Sequence, residues 1–437
     1  PRSSLPPAHR SSMYWPYPND FILDDKFGYL RGRTWGMLIL IYFTGARRDM
    51  DQGPTNAAPA PWEVVELEAF QTPQHTQASQ WQRSWRVATA WMLGNRADRR
   101  QAALESELRA LPEVKLAHWA PPVDWTPAAM SLHRALAAYQ EAPLVLFVSP
   151  PHGGHADIVG HWAGQHGIEC LEVPTFAERM AGELAWVTAA APAKRWAIPA
   201  LERHFLRHAY GLQGVRALVE RAQGGRLGQG VLGCDSWSYA FLKQAVGLEG
   251  VPVLALQGLE GAQLADYFSQ AAGQCPPVYS TRTRQPVLED SPKQKGVFKE
   301  LQQLAAHSRG HLGIAWHYWR ERLREPAEDA RAHSGNRSDH GETSLWLLDT
   351  LADAELPADT GDLATLLLHT LLIHGGLEDQ ALAHVLPFSE HEIVSVRFAL
   401  ASRGMLHCHQ GRWQVAPLSY ASVRQLLESR HYLVDPL

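Results

Sequence analysis

The chain has 437 residues, 45% hydrophobic and 19% charged, a globular balance that can fill two to four domains without a metal or disulfide staple. A net charge of −5 argues against a dedicated nucleic-acid binder, although a local basic patch stays compatible with it. Cys170, Cys234, Cys275 and Cys408 are far apart and form no Cys-x-x-Cys pair, which argues against a zinc ribbon or a secreted disulfide framework and fits a reducing cytosol.

Residues 1–12 are rich in Pro, Ser and Arg, and read as a disordered leader, not a signal peptide, with Met13 as an alternative start. The apolar run 35–43 is too short to span a membrane, which takes about 20 residues, and reads as a buried strand. A loop is expected over 45–61. Apolar residues at three- and four-residue steps predict helices over 81–93 and 99–111, and another over 127–139 with Thr126 as its N-cap.

After Pro143 the rhythm changes. Residues 144–148, Leu-Val-Leu-Phe-Val, form a continuous apolar run, as in a strand buried on both faces. Further strands are expected at 168–173, 196–198, 230–234 and 251–256, the first of these at an edge because glutamates interrupt it. Strands alternating with helices predict an α/β class with a parallel sheet covered on both faces. A polar, Pro-rich loop is expected over 276–295, two helices over 297–323 broken near Ser308, and a second polar linker over 326–342.

The last segment predicts helices at 363–373, 377–386 and 389–403, the third opened by a Ser389/Glu392 capping box and stopped by Gly404. A hairpin turning at Gln410-Gly411 and a final helix over 419–431 follow. Three helices and then a hairpin form a winged-helix pattern. The expected partition is an N-terminal region 1–140, a core 141–290, a helical lid and linker 291–345, and a winged-helix domain 346–437.

The chemistry is expected where the first core strand meets its helix, in Ser149-Pro-Pro-His-Gly-Gly-His-Ala156. A phosphate-gripping Walker A loop needs G-x-x-x-x-G-K-[ST]: glycine N–H groups wrap the phosphates, lysine reaches the terminal ones, and the hydroxyl binds Mg²⁺. Ser149 stands at the first glycine, Gly153 precedes the second, Gly154 is the second, His155 replaces the lysine, and Ala156 replaces the hydroxyl. The alternative is a Gly-rich turn in another α/β fold.

This strand–loop–helix context and the order of elements from about 141 to 437 resemble the AAA+/STAND group of P-loop ATPases. The resemblance implies a P-loop NTPase-like core with helical lid and winged helix, and ATP or ADP bound weakly if at all. It also implies Glu202 as a remnant catalytic base, Asp235 or Ser236 as the polar sensor, and Arg309 as a phosphate-facing arginine. Each has a plainer reading: a surface glutamate, a helix cap at Asp235, and an exposed helix-end arginine. Proline stands at 199, where a metal-binding acid belongs. His152, His155 and His161 follow H-x-x-H-x5-H, but position 159 is Val, so no metal site is expected. His407 and His409 share a face of the hairpin strand without needing a metal.

These readings favour a degenerate, cytoplasmic, regulatory or scaffolding subunit that holds protein partners: a related active ATPase subunit, or copies of itself. The alternatives are an ATPase working through an altered loop, and a DNA-binding regulator. Residues 363–437 carry five Arg, no Lys and six acidic residues, so DNA is not an expected partner; Phe388, Phe398, Trp413 and Tyr420 are candidate protein contacts instead.

Overall fold

A computed structural model describes residues 62–73, 101, 104–188, 194–271, 276–288, 299–327, 344–351, 353–357 and 360–437. The expected leader, the strand at 35–43, the loop at 45–61 up to Pro61 and the helix at 81–93 lie outside these residues.

The first described strand, β1 (Val64–Glu66), precedes a short strand β2 (Leu108–Ala110), then α1 (Glu113–Trp119) and α2 (Thr126–Leu136). The helix expected over 99–111 therefore ends in extended chain, because Leu108–Ala110 pairs with a strand over 200 residues later. The N-cap at Thr126 is also corrected: Thr126 already lies within α2, and its N–H is held by Asp124 Oδ1 at 3.0 Å.

The core follows as β3 (Leu144–Ser149), α3 (His155–Gln165), β4 (Glu169–Cys170), α4 (Phe176–Ala181), α5 (Ala185–Thr188) and β5 (Trp196–Ile198). It is completed by α6 (Gln213–Gln223), β6 (Gly230–Asp235), α7 (Ser236–Leu242), β7 (Val253–Leu256) and α8 (Gly261–Ala271). The strands assemble in the order β1-β7-β3-β6-β5-β4, parallel throughout except for β1, which runs antiparallel on β7. The fold is thus mixed α/β with a mostly parallel central sheet.

The period of two along β3 divides the core. Val145 and Phe147 point to the side holding Ala128, Leu132, Ile158 and Trp162 of α2 and α3. Leu144, Leu146 and Val148 point to the side holding Val215, Leu218 and Ala222 of α6, with Leu242 of α7. Burial on both faces is why the strand reads as an unbroken apolar run. The expected strand at 168–173 contracts to two residues at the sheet edge.

A second sheet was not legible. The stretch expected to be loop over 276–295 contains β8 (Val278–Ser280). Then α9 (Lys299–His307) and α10 (Leu312–Arg322) lead into β9 (Leu323–Pro326) and β10 (Leu345–Leu347), and the four strands join in the order β2-β9-β10-β8.

The C-terminal elements are α11 (Asp362–Ile373), α12 (Asp379–Val385), α13 (Glu390–Ala401), a hairpin of β11 (Leu406–His409) and β12 (Arg412–Val415), and α14 (Tyr420–Ser429). The capping box at Ser389 and Glu392 forms as the sequence predicts. Gly404, at φ +71°, ends the turn beyond α13. Among the described residues no helix is long and apolar enough to cross a membrane.

Candidate functional site

The loop between β3 and α3 sits at the carboxyl end of the parallel strands, where open α/β sheets place ligands. Its backbone turns sharply: His152 has φ +63° and Gly154 φ +79°. A Cβ on Gly154 would lie 2.3 Å from Trp125 Cε2, so glycine is needed both for the left-handed turn and for contact with that indole. Gly154 is the N-cap of α3, and no side chain caps it.

Four of the expected site residues converge, all buried. Ser149 Oγ lies 3.0 Å from His155 Nδ1, and His155 Nε2 lies 2.9 Å from Glu202 Oε1. The other carboxylate oxygen, Glu202 Oε2, accepts the Asp235 backbone N–H at 3.3 Å. Asp235 itself caps α7 through the N–H of Trp237 at 2.9 Å, the plainer of its two sequence readings. Glu202 is not the surface glutamate of the plainer reading: it lies in a short 3-10 turn after β5 and is 5% exposed. Gly233 of β6 makes this possible, because a Cβ there would come within 2.2 Å of Pro199 O and push the turn away.

A carboxylate only accepts hydrogen bonds, so Glu202 selects the His155 tautomer with its proton on Nε2, leaving Nδ1 to accept from Ser149 when the ring is neutral. Burial disfavours the His155 cation, but attraction to Glu202, the hydrogen bond between them, and Asp235 behind it together raise the imidazole above its ordinary value. Burial likewise works against the Glu202 carboxylate, yet His155 and the hydrogen bonds hold it below the ordinary carboxyl value. Asp235 goes the other way: desolvation and its neighbour Glu202 push its carboxyl well up, outweighing His155. His155 and Glu202 thus favour each other's charged forms, while burial and Glu202 push the Asp235 carboxyl towards its neutral form.

Two cavities flank the loop. The larger, about 240 Å³, is bounded by His155, Ala156, Asp157, Glu202 and Arg203 on the core and by Gly375, Gly376, Gln414 and Val415 on the C-terminal elements. The smaller, about 20 Å³, lies beside Ser149 and Gly153 under Trp62, Trp125, Leu256, Leu259 and Leu437. Gly153 lies directly over the hydroxyl: a Cβ on it would meet Ser149 Oγ at 2.8 Å.

The C-terminal elements close over the site. His152 Nε2 lies 3.1 Å from Val415 O, Arg207 Nη2 donates to Thr370 Oγ1 at 3.0 Å, and Ser238 Oγ donates to Ile373 O. Asp435 accepts from Ser236 Oγ at 2.7 Å, Tyr420 OH at 3.0 Å and Arg424 Nε at 2.8 Å. Arg309 stands among a different set of charges. Burial lowers its guanidinium, and its charged neighbours are Arg424, Asp435 and Glu428.

Sequence reasoning missed Trp62 and Trp125 over the loop, and Gly375, Gly376 and Gln414 opposite it. The Gly-Gly pair ending an apolar helix was the available signal. His152 lies near His317 and His407, with ring centroids 5.6 and 6.1 Å away, but among the described residues no group of His, Cys, Asp or Glu is arranged to hold a metal ion. Cys170, Cys234 and Cys408 are free thiols.

No protein-family model matches the chain, and no curated protein matches it. A solved structure of C. elegans PCH-2 is similar at 16% identity and a TM-score of 0.25, over 48% of this chain and 67% of that one, a likeness too slight to bear on fold or activity.

Proposed function

We propose that the chain is a P-loop-type protein of AAA+/STAND character whose phosphate grip has become an internal ion pair, and that it acts as a regulatory or scaffolding subunit by holding protein partners. The 2.9 Å contact of His155 with Glu202 carries this reading. A lysine at this position would place its charge on a bound phosphate; His155 instead places its charge on a carboxylate of the same chain. Ala156 supplies no oxygen for Mg²⁺, and the buried Glu202 would repel an incoming phosphate. ATP or ADP would accordingly bind weakly or not at all. The helix–hairpin–helix end of the chain is, in this reading, a winged helix spent on packing against the core, with DNA disfavoured as a partner by the five Arg, no Lys and six acidic residues of 363–437.

The test is a titration of the full chain with a fluorescent ATP analogue, with and without Mg²⁺, alongside a phosphate-release assay. No hydrolysis and no Mg²⁺-dependent binding are expected. Turnover that requires Mg²⁺ and disappears in His155→Ala would replace this reading with that of an atypical ATPase.

A further inference from the structure

The relay at the head of α3 has a second chemical meaning. A hydroxyl, an imidazole and a carboxylate stand in series at hydrogen-bond distance, 3.0 Å and 2.9 Å. We propose that Ser149, His155 and Glu202 form a nucleophilic triad that takes a small acyl group from an activated ester.

The roles follow from the geometry. Glu202 accepts from Nε2–H, fixes the imidazole tautomer, and stabilises the imidazolium that forms when Ser149 gives up its proton. His155 Nδ1 takes that proton as Oγ attacks the carbonyl carbon. The bond to the leaving group breaks, and the alkoxide departs with the proton from Nδ1. Water then adds to the acyl-serine with His155 as base, releasing the carboxylic acid and restoring the Ser149 hydroxyl. Water is the only co-reactant. Pro150 and Pro151 have no N–H to offer the oxyanion, unlike the residue after the serine in a strand–turn–helix nucleophile elbow. The donors would be the uncapped N–H groups of Gly154 and His155 at the start of the 11-residue helix α3.

A steric reason favours a small acyl group. The cavity beside Ser149 is about 20 Å³, room for roughly one water, with Trp62, Trp125, Leu256, Leu259, Gln257 and His311 in its walls, so only the smallest acyl group could reach Oγ, and only as those side chains yield. A long acyl chain has no space there. The His155 and Glu202 positions also suit catalysis: a buried imidazole oriented by a carboxylate is held in one rotamer, so no reorganisation precedes proton transfer.

The experiment uses the full chain. It is incubated with an alkyl fluorophosphonate and with p-nitrophenyl acetate, and the peptide carrying residue 149 is analysed by mass spectrometry. The expected result is an adduct on Ser149, absent after heat unfolding and absent in Ser149→Ala. The labelling rate should fall roughly 100-fold in His155→Ala and Glu202→Gln, and rise with pH through an inflection above the ordinary imidazole value of 6.5. No adduct on Ser149 in the folded wild-type protein overturns the proposal, and that result needs no variant to fold. Equal labelling of the wild type and a folded His155→Ala protein also overturns it. ATP hydrolysis would sink the regulatory reading and leave this one standing, whereas absent labelling sinks only this one.

Discussion

Removing Glu202 is the sharpest perturbation of the site. His155 and Glu202 are 8% and 5% exposed, so each charge depends on the other. Taking away one partner of a buried ion pair leaves the other uncompensated, at a cost of about 3–5 kcal/mol. Glu202→Ala should approach that range. Glu202→Gln keeps a hydrogen-bond acceptor for Nε2–H and should lose about 1–3 kcal/mol. The His155→Ala/Glu202→Ala double variant should be less harmed than the single losses add up to, with a coupling energy of about 1.5–3 kcal/mol. Urea unfolding followed by tryptophan fluorescence at several pH values measures this. His155 is raised above its ordinary value of 6.5, so its share of the stability is complete below 6.5 and fades as pH rises through the folded value. Glu202 is held below its ordinary 4.5, so its share is complete above 4.5 and fades as pH falls. The coupling should therefore peak between about pH 4.5 and 6.5 and shrink on either side. A coupling under about 0.5 kcal/mol throughout that window would show that the pair does not organise the site.

Four other outcomes follow from named contacts. Asp435→Asn withdraws the charge that Arg424, Tyr420 and Ser236 share, and should destabilise the C-terminal elements by about 3 kcal/mol, read as increased hydrogen exchange in α14 with β3 unchanged. Gly376→Ala forces φ +102° on a non-glycine residue and a Cβ to within 2.4 Å of Gln414 Cγ, so a loss of roughly 1–3 kcal/mol is expected in thermal melts. Burial, with nearby positive charge, drives His152 and His374 down to about 3 and His317 and His369 down to about 4. Unfolding lets them protonate near 6.5, so stability is present above 6.5 and is lost as pH falls towards 4, by up to about 1.4 kcal/mol per pH unit for each histidine, measurable as falling Tm in acid. In a gel-shift titration at physiological salt the chain should leave duplex DNA free; tight, salt-sensitive binding would reverse that expectation.

The parts of the fold visible in the sequence are those set by local rules. An apolar run buried on both faces announces β3, and Ser389 with Glu392 announces the start of α13, because each signal is complete within a few residues. The second sheet was hidden since β2, β8, β9 and β10 are three or four residues long and exist through pairing with distant chain: Leu108 meets Pro326, and Leu345 meets Val278. The site was half visible. The loop 149–156 stood out by its glycines and its place after a strand. Glu202 is a candidate from its place in the order of elements, but its burial is not legible, because Leu-Glu-Arg after a short strand looks like any solvent-facing turn. Its burial depends on Gly233, on Gly375 pressing a Cα hydrogen towards its side chain, and on a histidine 47 residues earlier. Arg309 sits in a half-buried turn, and its charged neighbours come from distant chain, α14 and Asp435, which no local pattern announces.

The regulatory and the nucleophilic readings draw on one ion pair yet require different things of it. A structural pair needs only that both charges stay buried and matched; Ser149 could then be alanine with little consequence beyond one lost hydrogen bond, about 1 kcal/mol. A nucleophilic relay needs Ser149 itself, needs Nδ1 free of its proton, and needs a path from solvent past Trp62 and Trp125. The loop geometry gives a reason to take the second demand seriously. Position 149 could carry glycine if a phosphate were to be wrapped, but it carries a hydroxyl whose oxygen faces the one ring nitrogen that Glu202 leaves free. Phosphate binding and acyl transfer therefore compete for the same imidazole. In the proposed reading Glu202 weighs against the phosphate, because moving the histidine charge onto an external anion would strand a buried carboxylate.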